Sequence, residues 1–233
     1  MDGSDDTGTE AAPRLPLNRE RVLRQAIVLA DAGGIDALTM RRLGQALGVE
    51  AMSLYNHVAN KDDLITGMLD LAMAEIALPP PVQDGDWQTA IRATAESAVT
   101  VLTHHPWASN LMMSPARMSV ARLRWMEAVL RTFRQAGFSP TLTHHAYHAL
   151  DSHIIGFTMW VASIEVDDDL DAAGADVLEH LPADEFTYLH EHIRFHQHDP
   201  AVYPADDPLA DERTFTFTLN LLLDGLARRR DGA

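Results

Sequence analysis

The chain has 233 residues, 46% hydrophobic and only 6% aromatic, with 34 acidic against 18 basic side chains, a formal net charge of −16 and no cysteine. Without cysteine there is no disulfide framework, thiolate chemistry or Cys-ligated metal, and the acidity excludes non-specific nucleic-acid binding through the whole surface, so any such binding is local. The aliphatic content favours helices over sheets, no run approaches the roughly 18–20 apolar residues of a membrane span, and the acidic N-terminus does not read as a signal peptide, which together predict an all-α protein of the cytoplasm.

In chain order, residues 1–16 read as a disordered tail, rich in Gly, Ser, Asp and Thr. Asn18 caps a helix whose apolar series is Val22, Leu23, Ala26, Ile27, Leu29 and Ala30, and Gly33-Gly34 stops it. Thr39 caps a short helix over 40–47, Gly48-Val49 turns the chain, and a second short helix covers 50–57. Asn60 caps a longer helix from Lys61 to about Leu78, closed by three prolines and a linker. The predicted domains are therefore 17–80 and 81–233. In the second, helices are expected over 87–104, 115–136, 140–166, 182–198 and 208–229, with a short proline-marked element at 105–113. The acidic, Gly-bearing stretch 167–176 reads as a loop. FTFT at 215–218 alternates like a strand, but LNLLLDGL after it does not, and a helix is expected there.

The segment LTMRRLGQALGVEAMSLYNHV, 38–58, has the layout of a helix-turn-helix. Leu43 and Leu47 can meet Leu54 and Val58 across the turn, with Gly44 small at the crossing and Gly48 free to take positive φ. Ala51, Met52, Ser53, Tyr55, Asn56 and His57 are left as an outward face suited to a major groove. Asn56 has the donor and acceptor for adenine, Met52 and Ala51 suit thymine methyls, Ser53 suits a base or phosphate, and Tyr55 and His57 suit phosphate. Arg41 and Arg42 begin the preceding helix within reach of backbone or base. The same pattern also describes a helical hairpin that serves packing alone. Lys61 argues for DNA, with a plain surface lysine, whose neighbours Asp62 and Asp63 already satisfy the helix dipole, as the other reading. Lys61 is the one lysine of the chain, placed in the first turn of a helix where a cation opposes the macrodipole unless an anion binds there.

Residues 17–65 resemble the DNA-binding domain of the tetracycline-repressor (TetR) family of regulators, through GIDALT before the motif, LGV at the turn, LYxHV in the reading helix and NKxxL after it. The resemblance implies a phosphate contact for Lys61, backbone or base contacts for Tyr55 and His57, and a place for Arg41 at the start of the motif. His105-Pro106-Trp107, RWMEAVLRTFRQAGFSP at 124–140 and FTFTLNLLLDGL at 215–226 are similar to the C-terminal domain of the subgroup nearest the tetracycline repressor, which binds a small effector and dimerises. Thr216 and Thr218 depart from that subgroup's usual Glu and Gly, and around Leu111-Met112 no histidine stands where its magnesium ligand falls.

His190, His192, His196 and His198 invite a metal-dependent helical enzyme as the alternative, but no HExxH motif is present and no nucleophile elbow or phosphate loop accompanies them. Neither a metal nor a cofactor is expected. Met112, Met113, Met118, Trp125, Met126, His148, Asp151, His153, Phe157 and Trp160 are the candidate effector lining, pliable and apolar with a few orienting polar groups. Ordinary bundle core is the competing account of each of them. The expected protein is a homodimeric, ligand-responsive repressor of double-stranded DNA with a pseudo-palindromic operator. An effector-independent DNA-binding protein is the other alternative. The expected effector is apolar or aromatic, neutral or cationic, because Asp151 lies among the candidates and residues 81–233 carry most of the acidic surplus.

Overall fold

The computed structural model describes residues 16–82, 85–112, 119–164, 170–196 and 214–232; these are helical and connecting segments, with no strand among them. They form two compact units that part between Met68 and Leu69.

In the first unit, α1 (Arg19–Gly33) starts where Asn18 Oδ1 accepts from the Arg21 amide at 2.8 Å, and buries Val22, Leu23, Ala26, Ile27 and Ala30 along one stripe. α2 (Met40–Leu47) is capped by Thr39, whose Oγ1 accepts from the Arg42 amide. Gly48, at φ 69°, ends it in the left-handed region. The next element differs from expectation. Instead of an α-helix over 50–57 it is a 3-10 helix, Ala51–Asn56, tied by i→i+3 bonds such as Ser53 N–H to Glu50 O and His57 N–H to Leu54 O, both 2.9 Å. α3 (Lys61–Glu75) opens with Asn60 Oδ1 accepting from the Asp63 amide. Val22, Leu43, Leu54, Val58 and Leu64 are the core of this unit, all fully or almost fully buried.

α3 ends three residues short of the expected Leu78. The reason lies in the next helix, α4 (Trp87–His104). Thr94 Oγ1 donates to the Ala77 carbonyl at 2.5 Å and Ser97 Oγ accepts from the Ala77 amide at 2.8 Å, so side chains of α4 take the backbone groups that a longer α3 would use. The second unit continues with α5 (Pro106–Met112), α6 (Val120–Gln135), α7 (Pro140–Ile164), α8 (Leu170–His180), α9 (Thr187–His196) and α10 (Thr214–Asp231). Ser119 caps α6, accepting from the Arg122 amide at 3.0 Å. α7 packs against α4, α5, α6 and α10 and is the centre of the unit. Trp87 meets Phe133 and Phe138 at ring distances of 5.8 and 4.9 Å, closing the end where α6 turns into α7.

Two expectations change here. Of the stretch 167–176, read as a loop, residues 170–176 belong to α8 and 167–169 lie outside the described residues; an acidic composition is compatible with the start of a helix and so does not by itself mark a loop. The helix expected from Pro182 starts only at Thr187, because the Phe186 and Glu185 amides close a turn on the Pro182 carbonyl. The expected tail through residue 15, the linker residues 83–84 and positions 197–213 lie outside the described residues, as do Met113, Met118 and His198. Among the described residues no helix is long and apolar enough to cross a membrane.

Candidate functional site

The 3-10 geometry decides which side chains of the reading element share a face. With three residues per turn, side chains three apart eclipse. Met52 and Tyr55 therefore line up outward, 75% and 44% exposed, while Leu54 turns fully inward. Asn56 is exposed beside Ser53, which is half-buried, as are Ala51 and His57. Lys61 is exposed in the first turn of α3, and Arg41 on α2. Arg42 is exposed too, but its Nη1 donates to the Ala37 carbonyl at 3.0 Å. Met52, three quarters exposed, contributes little to packing in its own unit. The crossing of α2 and the reading element is close enough that a Cβ on Gly44 would stand 2.9 Å from the Val49 carbonyl oxygen.

The effector candidates divide into three groups, because at about 100° per residue on α7 Asp151 and His153 point roughly 200° apart. Trp125 and Met112 are buried core, and Trp125 Nε1 donates to Thr94 Oγ1 at 2.9 Å. Asp151 lies on that side. Arg122 stands 3.7 Å from it and also donates to the Met112 carbonyl, so α5, α6 and α7 are tied together by one guanidinium. Burial raises the Asp151 pKa, opposed by Arg122 and then His148. Burial followed by the Asp151 charge pushes the Tyr147 hydroxyl up to about 12. The expected preference for a cationic effector therefore loses its local basis, since the chain itself supplies the cation.

His153 and Phe157 form the second group and face α10. His153 stacks on Phe215 at 4.9 Å, lies 3.2 Å from Thr218 Oγ1, and has its pKa lowered by burial. Phe157 meets Phe215 at 5.0 Å. The third group, His148 and Trp160, is exposed, with His148 near enough to Asp151 for its charge to act there and the Trp160 ring 5.7 Å from Phe157. Met126 is half-buried on α6. In the histidine-bearing α9, His190 is buried with Nε2 3.0 Å from the Leu181 carbonyl, a structural bond, and His192 is exposed.

Residues 22–77 match the model of the bacterial regulatory proteins of the tetR family, and residues 79–230 that of the tetracyclin repressor-like C-terminal domain. The chain belongs to the TetR family. Its relatives include the transcriptional repressor DrrR1 of Streptomyces coeruleorubidus, 31% identical over 153 residues, a match that spans 65% of this chain but only 57% of DrrR1. The class A tetracycline repressor protein of transposon 1721, from Escherichia coli, is 29% identical over 92% of both chains. Among solved structures, the TetR family protein ActR of Streptomyces coelicolor, in complex with (S)-DNPA, superposes with a TM-score of 0.66 at 25% identity, covering 91% of this chain and 98% of ActR.

This TetR-family chain is thus a DNA-binding transcriptional regulator, and the family is one of regulators rather than enzymes. Sequence reasoning missed several residues that organise it. Arg19 and Asp63, 44 positions apart, form a two-pronged ion pair. Asp70 accepts from the Ala121 amide at 2.7 Å and so anchors the first turn of α6. Arg122 and Thr94 hold the polar interior of the second unit. No local signal announces such pairs, since charge and hydroxyl are common and their partners are remote in sequence.

Proposed function

We propose that this regulator is a ligand-responsive repressor that acts in the cytoplasm as a homodimer on a pseudo-palindromic operator, with residues 17–80 reading DNA and 81–233 binding effector and partner. The observation that carries the DNA half is the outward row of Met52 and Tyr55, flanked by Asn56 and followed by the exposed Lys61 in the first turn of α3. Met52 meets thymine methyls, Asn56 reads adenine, and Tyr55, His57, Ser53, Arg41 and Lys61 hold phosphates, so that position and base choice come from different side chains. Arg42 shapes the entry to α2. The repressor names of the relatives support the sign of the response, and the complex of ActR with (S)-DNPA supports a small-molecule effector.

The effector site is built around Arg122, Tyr147 and Asp151 with Met112 and Trp125. A donor beside an acceptor there suits a largely apolar or aromatic molecule with hydrogen-bonding groups. The partner surface is the outer row of α7 and α10. Ile154, Ile155 and Leu226 are spent inside their own chain, but Trp160, Phe217 and Leu221 are left exposed. Effector binding favours a spacing of the two reading elements that misfits successive major grooves.

Selection of duplexes from random DNA tests this directly. The expected product is a two-fold related pair of half-sites about one helical turn apart, and Lys61→Ala should lower the salt slope of binding by about 1 for each phosphate that each subunit no longer neutralises. Asn56→Ala should change base preference at ~1–3 kcal/mol per base pair no longer read. Recovery of no preferred duplex by the wild type refutes the reading.

A further inference from the structure

We propose that Arg19 and Asp63 are positioning residues for operator recognition, fixing the exit of the reading helix and the entry of α3 as one joint without themselves touching DNA. The inference rests on the DNA-binding reading above. His57, Val58, Ala59 and Asn60 connect the two elements and belong to neither helix, yet they set the distance between the Tyr55–Asn56 face and Lys61.

The joint is held from both sides. Asp63 accepts from Arg19 Nη1 at 2.8 Å and Nη2 at 2.7 Å, and from the Ala59 amide at 2.8 Å. Arg19 Nη1 also donates to the His57 carbonyl at 2.9 Å, just past the last residue of the reading element. One guanidinium and one carboxylate thus hold the His57 carbonyl at the start of the connection and the Ala59 amide within it, and the planar fork fixes direction as well as distance. Gly67 leaves α1 and α3 close beside this pair. A Cβ there would lie 2.8 Å from a Leu23 methyl and 3.2 Å from Arg19 Nη2, so those side-chain ends would have to shift to admit it. The Arg19 hydrogen bonds, then the Ala59 amide, hold the Asp63 carboxyl down to about 2, so the pair stays ionised throughout the neutral range.

The competing role for Arg19 is a direct phosphate contact. On charge alone, removing Asp63 should then strengthen DNA binding, because it deletes an anion and frees the guanidinium. Positioning predicts the reverse. The experiment is fluorescence anisotropy on a duplex from the random-DNA selection, with full-length wild type, Arg19→Gln, Asp63→Asn and the double variant, over a range of salt. Each single substitution is expected to weaken binding by on the order of tenfold, the scale of one charge-assisted hydrogen bond. The double variant should bind no more weakly than the weaker single, because the two side chains act as one device. The salt slope should stay at the wild-type value, unlike that of Lys61→Ala.

Binding by Asp63→Asn equal to or tighter than wild type overturns the proposal, as does an additive double with a reduced slope in Arg19→Gln. If Arg19→Gln fails to fold by far-UV circular dichroism, Arg19→Lys takes its place. It keeps the charge but cannot span two carboxylate oxygens and a carbonyl, so the same loss is expected, and wild-type affinity counts against the joint. A wild type that binds no selected duplex refutes the DNA reading and this inference together, whereas tight wild-type binding with unchanged variants refutes this inference alone.

Discussion

Gly44→Ala is a sharp test of the helix-turn-helix crossing, because two opposed effects meet in one methyl group. Replacing glycine inside a helix by alanine ordinarily gains about 1 kcal/mol. At this position the new Cβ would stand 2.9 Å from the Val49 carbonyl oxygen and 3.2 Å from both the Ala51 Cα and nitrogen, all of them backbone atoms. No side chain can rotate away, so α2 and the reading element must separate by several tenths of an ångström. That movement also stretches the 2.9 Å bond from the Val49 amide to the Gly44 carbonyl. Overpacking of this kind costs roughly 1–3 kcal/mol, which outweighs the propensity gain and leaves a net loss of roughly 1 kcal/mol. Gly33→Ala is the control. Its Cβ would touch only the Ala37 Cβ at 3.5 Å, so it should be neutral or slightly stabilising. All four tryptophans lie beyond residue 86, so their fluorescence follows the second unit, while far-UV circular dichroism follows both. Urea titration of the full chain should show the loss in the circular dichroism of Gly44→Ala. A variant at least as stable as wild type, with unchanged DNA affinity, would refute the argument from backbone crowding.

Leu221 is 58% exposed on α10, and Leu221→Asp is expected to give a folded monomer by analytical ultracentrifugation; a dimer of wild-type affinity places the partner surface elsewhere. Carbon-detected NMR titration should separate two aspartates. Asp63, with its pKa held to about 2 against 3.8 for the free group, contributes stability fully above pH 3.8 that is lost as pH falls through 2. Asp151 behaves oppositely: burial raises its pKa, so its penalty to folding grows as pH climbs above 3.8, and the finding that Asp151 titrates below Asp63 would contradict both assignments. Trp125→Phe removes the bond to Thr94 Oγ1 while Thr94 keeps the Ala77 carbonyl, so a loss of ~1 kcal/mol is expected in thermal melts, and an unchanged melting temperature would show the bond contributes nothing.

What was legible in the sequence follows the range over which each interaction closes. Asn18, Thr39 and Asn60 each cap a helix by bonding an amide three residues on, and all three were readable because donor and acceptor sit within one turn. The bounds of α4 agree with its apolar period to the residue for the same reason. The choice between α and 3-10 at Ala51–Asn56 was not legible: six residues hold too few positions for either period to declare itself, and the outcome changes the face by stacking Met52 on Tyr55. Bonds such as Arg19 to Asp63, Asp70 to Ala121 and Arg122 to Asp151 close over tens of residues, where sequence offers only charge without direction. The candidate DNA-facing residues lie on α2, the 3-10 helix and the start of α3, where local bonds set the backbone. The effector candidates depend on how α5, α6, α7 and α10 meet, and they part into a core group, a group against Phe215 and a group in solvent. The angular step of the helix could have predicted that much, since Asp151 and His153 on one helix cannot face the same molecule unless it wraps α7.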